Sequence, residues 1–159
     1  MNSIVQEHYP LLEHYTALRD QLMGLLDDED LEFSPGGENP SLGDLCLEMG
    51  EVEHASVESF KTFRQDFSYR RDEPGLARSV ERLSAWFEEL DHDLRAAVEA
   101  LSEEDVQNKT IDRGEGFVVP PGVQLHIYRE ALLIFFGKAS VYLKAMSKPR
   151  PQQWQDWIA

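Results

Sequence analysis

Apolar residues recur along this chain at steps of three and four in four stretches, and clusters of proline, glycine and acidic residues separate them. The first stretch, from about 5 to 26, sets Leu11, Tyr15, Leu18, Leu22 and Leu25 on one side of a helix. Four acidic residues, Asp27 to Asp30, and then Ser34-Pro35-Gly36-Gly37-Glu38-Asn39-Pro40 end it, since proline lacks a backbone donor and glycine favours turns. Ser41 with Asp44 three residues on has the form of a capping box and opens the second stretch, 41 to 67. There Leu42, Leu45, Met49, Val52, Ser56, Phe60, Phe63 and Phe67 continue the helical spacing.

A third stretch, 74 to 101, starts where Pro74 suits a first turn and carries Val80, Leu83, Trp86, Phe87, Leu90, Leu94, Ala97 and Leu101. Val106 to Pro120 holds Gly114 and Gly116 and reads as irregular chain or a short extended arm. The fourth stretch, 121 to 146, has Lys144 and Lys148 near its end, where they complement the helix dipole, and Pro149 and Pro151 stop it. A tail, 149 to 159, carries Trp154 and Trp157, with enough apolar area to dock on the body. The pattern predicts one all-α domain over 1 to 159, a four-helix bundle. Its links read as long, short and long. Antiparallel neighbours need only short turns, so these lengths suggest an up-up-down-down order with two long crossover connections.

Composition narrows the function classes. Fifteen Lys plus Arg against thirty Asp plus Glu give a formal net charge of −15, which repels phosphate backbones and anionic lipid alike. Nucleic acid and membrane surfaces are poor partners for such a chain. The longest apolar run, Ala131 to Phe136, is far short of the ~18 residues of a membrane span. The single cysteine, Cys46, has no internal disulfide partner, and residues 1 to 10 lack a secretory pattern; both point to the cytoplasm.

Two Glu-x-x-His spacings, Glu51 with His54 and Glu89 with His92, invite comparison with the ligand pairs of di-iron bundles. At about 100° per residue, both pairs fall roughly 120° to 180° away from the apolar stripes of their helices. A buried di-metal centre needs ligands projecting inward, so these are read as charged residues on wet faces. His126 and Glu130 also point away from their stripe. Only His14, about 40° from Leu18, lies near an inward direction, where a lone histidine is more often hydrogen-bonded filler than a ligand.

The second stretch opens with Ser41-Leu42-Gly43-Asp44-Leu45, and the fourth carries Gly137-Lys138 followed by Tyr142-Leu143. In this order of features the chain resembles the DinB-like (damage-inducible B, YfiT-type) superfamily of four-helix bundles. The resemblance implies a metal site of three histidines, one seven residues after the serine and two, four apart, just before the Gly-Lys pair. Those positions fall here on Glu48, Ala131 and Phe135. All three lie on the flank of their stripes, where side chains converge on a cleft beside the core. The family would use a divalent metal such as zinc or nickel. A methyl and a phenyl group donate nothing to a cation, so no bound metal is expected at this place.

Two functions follow as expectations. In the first, the chain is a non-catalytic DinB-like domain that binds a small molecule or a protein. Segment four supports it, because Ile127, Leu133, Ile134 and Val141 lie off the inward stripe and need a cover. That cover is either a second copy, making a homodimer through this helix, or the chain's own Trp154 tail or Gly116 to Val119 arm. The alternative is a divergent metal-dependent thiol transferase or hydrolase, with Glu48 in its site and His14 as a polar contributor.

Overall fold

The computed structural model describes residues 1 to 158. Asn2 begins the first element: its side chain accepts a hydrogen bond from the Val5 backbone N–H at 3.1 Å and donates to the carbonyls of Val98 and Leu101 at 2.7 and 2.8 Å. Helix α1 (Ser3–Glu7) is thereby capped and pinned to the far end of another helix. Pro10 has no N–H for the Gln6 carbonyl, and the chain breaks at His8 before α2 (Tyr9–Leu25). The expected first helix is therefore two. Asp27 and Asp30 then close a reciprocal capping box on a 3₁₀ turn, Asp28–Glu32.

Helix α3 (Leu42–Thr62) starts as expected, with the Ser41 hydroxyl accepting from the Asp44 N–H at 3.1 Å. It stops five residues before the expected end at Phe67. Phe63 takes a left-handed conformation (φ 58°), and the chain leaves the helix to pair with a later segment. The Asp112 N–H donates to the Phe63 carbonyl at 2.9 Å, and the Gln65 N–H donates to the Asp112 carbonyl at 2.8 Å. Residues 63 to 79 run back along the bundle. Helix α4 (Val80–Glu99) starts six residues later than Pro74, capped by Ser79 and by Asp28, whose carboxylate accepts from the Val80 N–H at 2.8 Å. Pro74 and Gly75 form a turn instead.

After α4 come α5 (Glu103–Asn108), a two-stranded antiparallel hairpin of β1 (Ile111–Asp112) and β2 (Val118–Val119), and α6 (Pro121–Ala145). The tail forms α7 (Gln152–Trp157). It docks as expected: Trp154 is fully buried, its indole N–H donates to the Leu18 carbonyl at 2.9 Å, and its ring lies 5.3 Å from that of Phe136. Leu18, Leu22, Leu42, Leu83, Leu94, Leu132 and Phe136 fill the centre. Among the described residues no helix is long and apolar enough to cross a membrane.

The chain forms the all-α bundle that its periodicity predicts, but the helix directions differ from the up-up-down-down expectation. The start of the chain meets the end of α4, while Asp28 caps the start of α4, so α2 and α4 are antiparallel. Ala77 lies against Gly43 and Trp86 against Gly50, so α3 and α4 are parallel. A Cβ at Gly50 would sit 2.2 Å from the Trp86 ring, so glycine is what lets these helices approach so closely. Gln124 bonds Ser59 at one end and Tyr142 bonds the Pro40 carbonyl at the other, so α6 is antiparallel to α3. With His8 against His126 and Leu25 against Lys148, α6 runs parallel to α2. The order is up-down-down-up.

Link length misled because it does not report span. The 26 to 41 link is wound into a compact turn, the link after α4 is folded into α5 and the hairpin, and the one return crossover is the link that looked short.

Candidate functional site

Helix α3 presents Leu45, Glu48, Met49 and Val52 to α6, and α6 presents Ala131, Ile134, Phe135 and Lys138 to α3. Both sets have the spacing i, i+3, i+4, i+7 of one helical face. The antiparallel stripes do not close on each other, and the gap between them is an open groove of about 170 Å³. Its floor is apolar and close-packed, with Leu45, Met49 and Phe135 each only 3% exposed. Its outer wall is Ile134, 62% exposed. Ala131 contributes only a methyl group, and that small side chain leaves the space.

The groove continues into a second hollow of about 270 Å³ lined by Pro35, Asn39, Pro40, Val141 and Tyr142, with Leu45, Glu48 and Lys138 shared between the two. The Tyr142 hydroxyl donates to the Pro40 carbonyl at 2.7 Å, tying this hollow to the loop before α3. Burial, and then the charge of Glu48, raise the Tyr142 phenol above its ordinary pKa. Glu48 and Lys138 thus stand at the junction of an apolar and a mixed compartment. Neither makes an ion pair or hydrogen bond among the described residues.

The three positions that resemblance pointed to, Glu48, Ala131 and Phe135, line this single groove together. Their donor set does not fit a divalent metal: one carboxylate stands where an open site takes about three protein ligands. Among the described residues no group of three or more His, Cys, Asp or Glu side chains is placed to hold a metal ion.

His14 lies elsewhere. It is exposed on α2, its ring 6.4 Å from that of Trp157, and α2 does not border the groove. The stripe used to orient α2 included Leu11, which is 40% exposed, whereas the true inward face carries Tyr9, Leu12, Leu18, Arg19, Leu22 and Met23. The remaining histidine motifs are also apart. Glu89 and His92 are exposed as expected, but Glu51 and His54 are covered by the crossover. Glu51 accepts the Arg71 N–H at 2.9 Å, and the His54 ring stacks on Tyr69 at 3.7 Å, where burial lowers its pKa. Of the four residues expected to need a cover, Ile127 and Leu133 are half-buried, and Ile134 and Val141 form the outer wall of the groove.

Sequence reasoning missed a second polar centre, inside the bundle. Arg19 of α2 donates to Glu53 of α3 at 2.5 Å and to Asp91 of α4 at 2.7 Å, and its guanidinium lies 4.3 Å from the Phe87 ring centre. Arg19 and Glu53 have no exposed surface. Tyr128 of α6 is buried within electrostatic reach of Glu53, Arg19 and Asp91, so all four long helices border this centre. Burial raises the Glu53 carboxyl to about 7, with Arg19 opposing the rise. Burial, then the Glu53 charge, push the Tyr128 phenol well above its ordinary range. Arg19 Nε, Glu53 Oε1 and the Tyr128 hydroxyl are buried without a hydrogen-bond partner among the described residues. The signal in the sequence was weak: at about 100° per residue Arg19 falls about 60° from Leu22 and Glu53 about 40° from Met49, on the flanks of the apolar stripes where charged residues usually meet water.

No family model matches the chain, and no curated protein matches it. Among solved structures it is similar to a DinB-like protein, YjoA, from Bacillus subtilis. The two share 18% sequence identity over 94% of this chain and 96% of that one, with a TM-score of 0.69. The chain therefore has a DinB-like fold.

Proposed function

We propose that this DinB-like bundle binds a small organic molecule in the α3–α6 groove and does so without a metal ion. The observation that carries the reading is the groove itself, an apolar concavity with an unpaired acid and an unpaired base at its lip. Small-molecule sites are mostly apolar with a few placed polar groups, and this one has that composition. Its size is apt for one ring or a short branched chain, since an apolar cavity of about 150 Å³ accepts benzene.

Two measurements test it. Protein purified without chelator should carry no stoichiometric metal, and titration with zinc or nickel should show no tight site. Tight one-to-one binding abolished by Glu48→Ala would restore the metal-enzyme reading. In protein NMR, indole should shift resonances of Leu45, Met49, Val52, Ala131 and Ile134 saturably, and Ala131→Phe, which fills the groove, should remove the response. Indole that leaves these resonances unmoved in the parent protein contradicts the reading.

The exposed pair Ile134 and Val141 favours a second reading, a homodimer through α6. Two copies joined there would cover the mouth of the groove. Sedimentation then gives a dimer that Ile134→Glu converts to monomer, whereas a free groove gives a monomer in both.

A further inference from the structure

Lys138 differs from the other lysines. The chain carries twice as many acidic as basic side chains, so carboxylate partners for a lysine are plentiful. Lys61 pairs with Glu58, Lys109 with Asp105 and Lys148 with Asp30, and Lys144 also has a partner. Lys138 has none among the described residues, although it lines the same two hollows as Glu48. An acid and a base sharing one lip, each without a partner, form two complementary half-sites. Directly beneath them is an apolar hollow bordered by Met49, Val52, Ala131 and Phe135.

Resting on the groove being a binding site, we infer that its ligand belongs to the amino-acid class: a small zwitterion whose apolar side group fills the inner hollow. Its ammonium faces Glu48 and its carboxylate faces Lys138. Three physical points select this class. A plain hydrocarbon leaves both lip charges without use. A simple anion has to approach against a formal net charge of −15, whereas a zwitterion carries no net charge and meets no such long-range field. A charge-assisted contact is stronger than a neutral hydrogen bond, so each half-site discriminates by charge. The hollow of about 170 Å³ matches a phenyl or branched aliphatic group, and the adjoining hollow leaves the head group access to solvent.

Four probes with a common ring separate the parts of this inference: L-phenylalanine, phenethylamine, 3-phenylpropionate and toluene, titrated by NMR into the full chain. Phenylalanine should bind about tenfold more tightly than either singly charged probe, each of which lacks one lip contact. Glu48→Gln should abolish its advantage over 3-phenylpropionate, and Lys138→Met its advantage over phenethylamine, with toluene unchanged in both. Both side chains are exposed, and a thermal melt checks that each variant is folded. Equal binding of all four probes at the groove overturns the zwitterion assignment and leaves the groove reading intact. No binding by any probe, toluene included, overturns both.

Discussion

Two regions of this bundle handle charge in opposite ways. The interior, where Arg19 meets Glu53 and Asp91, is charged; the floor of the α3–α6 groove is apolar. The interior charges are held because three long helices supply ion-pairing side chains to one cluster, Arg19 from α2, Glu53 from α3 and Asp91 from α4. Taking two ions out of water costs several kcal/mol each, and only close pairing offsets it. The groove shows the converse: Glu48 and Lys138 stay exposed and have no partner among the described residues, while leucine, methionine and phenylalanine form the floor below them. Charge inside this molecule serves to join helices, and charge at the groove lip is available to a ligand.

Breaking the interior cluster should have the largest effect. Glu53→Ala leaves Arg19 buried with only Asp91 to balance it, and should cost about 3–5 kcal/mol in chemical denaturation. Replacing Arg19 and Glu53 together by Met and Leu should cost less than the sum of the single changes, because the second removes the charge stranded by the first. A double-mutant cycle measures the difference.

The acidity of Glu53 sharpens the comparison further. Its folded-state pKa, about 7, lies above its ordinary value of 4.5, so between these the folded protein holds more protons than the unfolded chain. Its contribution to stability is complete below about pH 4.5 and is lost as the pH rises towards 7. The difference in melting temperature between the parent protein and Glu53→Gln, followed across that window, should fall with rising pH. A flat difference means that Glu53 titrates like a carboxyl in water. Tyr128→Phe removes a buried hydroxyl that lacks a hydrogen-bond partner, and should change stability by no more than about 1 kcal/mol.

The smallest effects belong to the groove lip. Glu48 and Lys138 have no ion-pair or hydrogen-bond partner among the described residues, so the denaturation midpoints of Glu48→Gln and Lys138→Met should match that of the parent protein. A destabilisation by either as large as that of Glu53→Ala would erase the distinction between a structural and an available charge.

The helical stretches and the Ser41 cap were legible because they rest on neighbours in sequence. The Ser41 cap on Asp44, the start of α6 at Pro121 and the docking of Trp154 follow from local backbone chemistry and apolar area. The edges that bring Glu48, Ala131 and Phe135 together were legible for the same reason, since helical spacing alone assigns side chains to faces. The end of α3 was not, because Phe63 leaves the helix for hydrogen bonds to Asp112, almost fifty residues on. Nor was the buried face of α2, where Arg19 is accepted in place of Leu11 only because Glu53 and Asp91 arrive from two other helices.

Local spacing in the sequence determined that this chain is helical, where α3 and α6 start, and which residues share a side. Only the tertiary structure decided the order of the helices, since contour length does not say whether a link spans the bundle or coils beside it. It also decided which charges are buried and which stay free at the groove, because the cost of burying a charge depends on partners that folding brings from elsewhere in the chain.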